Sequence, residues 1–86
     1  MAKVFATASY VQFVNLLKIL GFTEDENYKN MAHQRQFDKI GFNLFIDSDG
    51  SLRLYKDGRS VLAGTYVSAE DQTRLVEASL IACIRP

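Results

Sequence analysis

A chain of 86 residues is long enough for one core and too short for a deep active site, so 1–86 reads as a single small α+β domain. Ten Lys and Arg balance ten Asp and Glu to a formal net charge of +0, which removes the long-range pull toward nucleic acid or an anionic membrane that a charge excess supplies. With 48% hydrophobic and 23% charged residues, the composition is that of a folded protein and excludes a disordered one.

The first element is a helix from about Tyr10 to Leu20, opened by a Ser9/Gln12 capping box and closed by Gly21 as its left-handed C′ residue, with Phe22 packing back on Leu17. Tyr10, Phe13, Val14, Leu17 and Leu20 recur at helical spacing and form its core stripe. Gln12, Asn15 and Lys18 interrupt the apolar run, and no small-x-small cleavage pattern follows it, so the segment is expected to be a helix and not a leader. The single Cys83 cannot form an intrachain disulfide, and no stretch approaches the roughly 20 apolar residues that span a bilayer. These features point to a cytoplasmic protein without a membrane partner.

Thr23 to Ile40 admits two readings that can hold together. Thr23 with Glu26 makes another capping box, so an additional short helix within 24–34 is expected to show one face through Tyr28, Met31 and Ala32. Asp38-Lys39-Ile40-Gly41 has the same Asp-x-x-Gly form as Asp47-Ser48-Asp49-Gly50, which makes His33 to Phe37 a fourth strand beside Asn43 to Ile46. In that register His33 lies near Asp47.

From Phe42 to Tyr66 the chain reads as an antiparallel β-meander of three strands, four with the segment before it. Asp57-Gly58 predicts a two-residue type I′ hairpin, pairing Lys56 with Arg59 and Leu54 with Val61. The Asp47 to Gly50 turn predicts a G1-bulge hairpin, pairing Ile46 with Leu52. One face then carries Phe42, Leu44, Ile46, Leu52, Leu54, Val61 and Ala63. The other carries Phe45, Arg53, Tyr55, Leu62 and Tyr66 around Asn43 and Gly64, which is more aromatic than a solvated face requires.

A last helix from Ala69 to about Ile84 begins at a Ser68/Asp71 capping box and buries Leu75, Val76, Leu80, Ala82 and Cys83. The apolar run Leu80 to Ile84 also fits a short strand from Ser79 to Arg85, which periodicity alone does not separate from a helix. Ile81 and Ile84 fall on the side held earlier by Arg74 and Glu77, and are expected dimer contacts.

Catalytic and metal chemistry find little support. A calcium loop with Gly50 at its sixth position would need carboxylates where Phe45 and Lys56 stand, so Asp47 and Asp49 are turn residues. His33 is the only histidine and has no evident nucleophile beside it, Cys83 lacks a basic setting, and the glycines are not clustered before a helix. No metal, cofactor or catalytic residue is assigned, and the chain is read as a non-enzyme.

Two functions remain for the aromatic face. The favoured one is noncatalytic protein binding, as a small adaptor or inhibitor and a homodimer, through Phe45, Arg53, Tyr55, Leu62 and Tyr66. The alternative is a nucleic-acid platform of Phe45, Arg53, Tyr55 and Tyr66 bordered by Lys29, Arg35, Lys39, Lys56 and Arg59. Helix, three strands, helix is also the order of double-stranded RNA-binding domains, but Glu70 and Asp71 would repel phosphate at the start of the last helix. The remaining possibility is that Thr23 to Ile40 folds over the aromatic face within the monomer.

Overall fold

Two turns of helix chemistry open the chain. In the computed structural model, which describes residues 4–29, 31 and 33–84 and side-chain surroundings as far as Ser79, a 3-10 turn at Val4–Ala6 leads into helix α1, Ala8–Ile19. Its cap is Thr7 and not Ser9. The Thr7 hydroxyl accepts from the Tyr10 N–H at 3.2 Å and donates to the Val4 carbonyl at 2.7 Å, so one side chain satisfies both the helix and the turn before it. At the other end the expected Schellman closure forms: Gly21, at φ +98°, donates its N–H to the Lys18 carbonyl, and the Phe22 N–H reaches the Leu17 carbonyl at 2.9 Å. Phe22 and Leu17 are both buried.

The sheet has five antiparallel strands in chain order: β1 Thr23–Glu24, β2 Gln34–Lys39, β3 Phe42–Asp47, β4 Ser51–Lys56 and β5 Arg59–Thr65. The middle segment thus adds two strands to the meander. The short helix expected within 24–34 does not form among the described residues. Thr23 pairs with Asp38 and Glu24 with Phe37, while Asp25 starts successive turns by accepting from the Asn27 N–H at 2.8 Å and the Tyr28 N–H at 3.1 Å. Ladder partners are worth more to Thr23 than a helix cap would be, because β2 is already held on its other side by β3.

The β2–β3 connection is also shorter than expected. Lys39 pairs with Phe42, so the loop is Ile40-Gly41, and the whole strand slips one residue from the Asp-x-x-Gly register. Gln34, not His33, stands opposite Asp47, and the exposed His33 only accepts the Ser48 N–H at its carbonyl. The slip buries Phe37 completely in the core.

β3 and β4 pair as expected, with Ile46 opposite Leu52, and the Asp57-Gly58 turn pairs Lys56 with Arg59 with positive φ at both central residues, 51° and 82°. Beyond that turn β5 departs from the expected register. Leu54 pairs with Leu62 and Tyr55 with Ser60, leaving Val61 as an extra residue in a β-bulge. Val61 is therefore 48% exposed and Ala63 is exposed, whereas Leu62 and Tyr66 turn to the core side at 9% and 3%. The exchange places a leucine and a tyrosine ring against the helices in place of a valine and an alanine, which removes more apolar area from water.

The core lies between one sheet face and the helices. Phe13 and Leu17 of α1 meet Leu44, Ile46, Leu52 and Leu54 with Leu75 of α2, Ala69–Ile84. α2 is helical as far as Ile84, where a strand from Ser79 to Arg85 was the competing reading. The side chains of Leu80, Ile81, Ala82, Cys83 and Ile84 lie outside the described residues, and with them the expected dimer contacts Ile81 and Ile84 and the expected burial of Leu80, Ala82 and Cys83. No helix among the described residues is long and apolar enough to cross a membrane.

The start of α2 is tied to β5 by one carboxylate. Ser68 accepts the Asp71 N–H at 3.2 Å, as a cap should, but Asp71 does not complete the expected reciprocal box. Its Oδ2 instead accepts the Thr65 N–H at 2.9 Å, satisfying a backbone donor at the sheet edge. Gly64 makes this approach possible, because a Cβ there would overlap the Asp71 carboxyl group. Gly64→Ala is expected to lower stability by about 2 kcal/mol in urea denaturation. In Asp71→Ala the same Gly64→Ala change should cost much less, because the overlapping carboxylate is gone.

Candidate functional site

All described packing elements lie on one side of the sheet, so the alternation of β2, β3 and β4 decides what the open side shows. Gln34, Gln36 and Asp38 of β2, Asn43, Phe45 and Asp47 of β3, and Arg53 and Tyr55 of β4 share that far face by register. The described residues of 23–40 form β1, β2 and the turns between them, within the sheet and not over its far face, so among the described residues the reading in which this segment covers the aromatics is set aside.

Of the residues expected to share the far face, Phe45, Arg53 and Tyr55 are brought together. Phe45 is directly opposite Arg53, and its ring meets Tyr55 edge-on at 5.7 Å and 81°. The Arg53 guanidinium carbon sits 5.6 Å from the Phe45 centroid, and its Nη2 is 3.4 Å from Asp47 Oδ1. Arg53 Nε is buried without a hydrogen-bond partner. Together with Gln34, Asn43 and Gly58 these three line a shallow concavity of about 410 Å³.

Leu62 and Tyr66 are not part of this group. The Val61 bulge turns them inward, where Tyr66 packs at 6.0 Å from Tyr10 and 5.7 Å from Phe13 and takes the Gly50 carbonyl on its N–H. In their place β2 supplies amides that sequence reasoning did not assign to the face. Asp38 Oδ1 accepts from Gln36 Nε2 at 2.9 Å and Asn43 Nδ2 at 2.8 Å, and Asp47 Oδ1 accepts from Gln34 Nε2 at 3.5 Å. The alternation Gln-x-Gln-x-Asp around Phe37 was the signal for them.

Three of the five cations expected to border the face point elsewhere. Arg35, Lys39 and Lys56 lie on the helix side, over Phe5 at 4.3 Å, Phe22 at 5.8 Å and Phe42 at 6.0 Å. On strands β2 to β4 the far face therefore holds Arg53 against Asp38 and Asp47.

A second polar group, also missed in the sequence, sits at the other side of β2. Arg35 Nη1 is 4.0 Å from Glu24 Oε2, its Nε donates to the Met31 carbonyl, and the neighbouring Tyr10 hydroxyl is buried without a partner. Burial pushes the Tyr10 hydroxyl up to about 12, against the lowering pull of the Arg35 charge. On the turn between β3 and β4, the Ser51 N–H bonded to Asp49 Oδ1 at 2.9 Å holds that carboxyl below its ordinary value, the turn role expected of it.

Family models, curated proteins and solved structures give no match to this chain, so the reading of its surface rests on the chemistry of the face itself.

Two outcomes follow. Tyr66→Ala should destabilise the fold by about 3 kcal/mol, the scale of a deleted core aromatic, whereas Phe45→Ala and Tyr55→Ala should each cost clearly less in the same urea titration. For Tyr10, the folded pKa lies above the unfolded value near 10, so the unfolded state loses its proton first and stability should fall between about pH 10 and pH 12. Denaturation midpoints across that range should fall less in Tyr10→Phe than in the parent chain.

Proposed function

We propose that the chain is a noncatalytic protein-binding module, a small adaptor or inhibitor, that presents the far face of its sheet to another protein chain and pairs with a second copy of itself. The observation that carries this reading is the half-buried Phe45–Tyr55 pair with Arg53 at the centre of a sheet face that no described element covers. Aromatic rings and arginine are the residues that anchor interfaces when water is excluded around them. Gln34, Gln36 and Asn43 supply a polar rim already organised by Asp38 and Asp47, so little side-chain freedom is left to lose on docking.

Charge favours a protein partner over nucleic acid. A phosphate chain lying on the face would meet two carboxylates and one guanidinium, while Arg35, Lys39 and Lys56, which could have steered it, are spread over aromatic rings on the opposite side. A second copy presents the same mixed charges, and a two-fold contact can set Arg53 of each against an acid of the other.

Light scattering is expected to give twice the chain mass for the parent protein and the single-chain mass for Phe45→Ala with Tyr55→Ala, with circular dichroism unchanged. A single-chain mass for the parent at every concentration would remove the homodimer. Retention on heparin that weakens with salt would transfer the face to the nucleic-acid reading.

A further inference from the structure

Two Asp-Gly pairs stand at successive hairpin tips, Asp49-Gly50 between β3 and β4 and Asp57-Gly58 between β4 and β5, and the fold treats them oppositely. At the first, Gly50 is buried, with the Tyr66 ring 3.5 Å from where a Cβ would stand, and its N–H donates to the Asp47 carbonyl at 2.9 Å. The Asp49 carboxylate accepts the Ser51 N–H at 2.9 Å, which also favours its charged form. At the second, Asp57 and Gly58 are both exposed, and nothing lies within 4 Å of a Cβ position on Gly58. Neither the Gly58 N–H nor the Asp57 carboxylate has a hydrogen-bond partner among the described residues. Asp57 is also the one described residue other than glycine at positive φ, 51°, a conformation that an L side chain adopts at a cost.

We propose that Asp57-Gly58 is a self-modifying site, where the main chain passes through a succinimide to an isoaspartyl linkage. The Gly58 nitrogen attacks Cγ of the protonated Asp57 carboxyl; the N–Cγ bond forms, the Cγ–OH bond breaks, and the hydroxyl leaves as water with the proton from nitrogen. Water then adds to the Asp57 main-chain carbonyl carbon, the bond from that carbon to the Gly58 nitrogen breaks, and the nitrogen regains its proton. One water is lost and one gained, nothing is oxidised or reduced, and the chain now runs through Cβ and Cγ of Asp57. Attack needs rotation about the Asp57 Cα–C bond, which the exposed tip permits and the missing Gly58 side chain leaves unhindered. At Asp49-Gly50 the buried, bonded nitrogen and the tied carboxylate oppose the same rotation. The extra main-chain carbon ends the two-residue type I′ geometry that sets Lys56 opposite Arg59. Gly58 also lines the far-face concavity, so the modification changes one wall of it; that consequence rests on the docking reading, and the isomerisation does not.

The test incubates the full chain, folded and in urea, in warm, mildly acidic water enriched in ¹⁸O. The chymotryptic peptides carrying Asp49 and Asp57, which cleavage at Leu54 and Tyr55 separates, are then compared by mass and chromatography. In the folded chain the Asp57 peptide should gain ¹⁸O and split into two peaks of equal mass several-fold faster than the Asp49 peptide, whereas in urea the two should react at similar rates. Asp57→Asn, which keeps a residue suited to the type I′ turn, should reach the same two products faster and with loss of ammonia. Amide spectra of the aged parent chain should show a second set of Lys56, Gly58 and Arg59 signals that grows with the isoaspartyl fraction. Equal or faster labelling of Asp49 in the folded chain would overturn the proposal. So would an unlabelled Asp57 in the folded chain at a time when the urea sample has reacted.

Discussion

The extra residue at Val61 is the constraint on which both sides of the sheet depend. A bulge reverses the alternation of every residue after it, so a single unpaired valine sends Leu62 and Tyr66 to the helices and leaves Ala63 and Thr65 outside. Tyr66 then becomes the piece that joins three distant parts of the chain: its ring meets Tyr10 and Phe13 of α1, its hydroxyl lies 3.3 Å from the Thr7 hydroxyl that caps the same helix, and its N–H is bonded to Gly50 at the β3–β4 turn. Without the bulge the helices would face Val61 and Ala63, too small to fill the same space, and Tyr66 would join an already aromatic surface.

The consequence for the open face is that it is small and centred. Its aromatic part is confined to β3 and β4, between amides on β2 and short side chains on β5. Asp38 and Asp47 each organise two donors there, so the polar border is ordered before any partner arrives. A compact apolar centre with a preorganised polar margin is the arrangement that the proposed docking role requires.

Local signals in the chain were legible where one residue type has one use. Gly21 closing α1, Asp57-Gly58 making the tight hairpin, and Ser68 capping α2 all follow from conformations or bonds that few other residues offer. The same reasoning placed Phe45, Arg53 and Tyr55 together. It failed where tertiary packing chose between acceptable local options. Thr7 and Ser9 are both good caps, and only the 3-10 turn and the Tyr66 hydroxyl favour Thr7. Val61 is an ordinary strand residue, and nothing beside it marks a bulge; the requirement came from the volume needed between β5 and the helices. The Tyr10 cluster was invisible because Arg35 and Glu24 come from strands whose pairing depended on an unresolved choice of turn.

That choice of turn also decides the charge of the face. Had Asp38 to Gly41 closed as Asp47 to Gly50 does, β2 would have shifted one residue against β3, and every side chain on it would have changed sides. Arg35 and Phe37 would then stand beside Phe45, giving a basic aromatic surface suited to nucleic acid, and the core would receive Gln36 and Asp38. Burying a carboxylate and an amide without partners costs several kcal/mol, while Phe37 in its observed place is fully buried. The two-residue loop is therefore selected by the core, at the cost of a fully exposed Ile40. In selecting it, the core turns Arg35 toward Tyr10 and leaves Gln34, Gln36 and Asp38 outside, so the Tyr10–Arg35 cluster and the polar border of the open sheet face arise from the same packing decision.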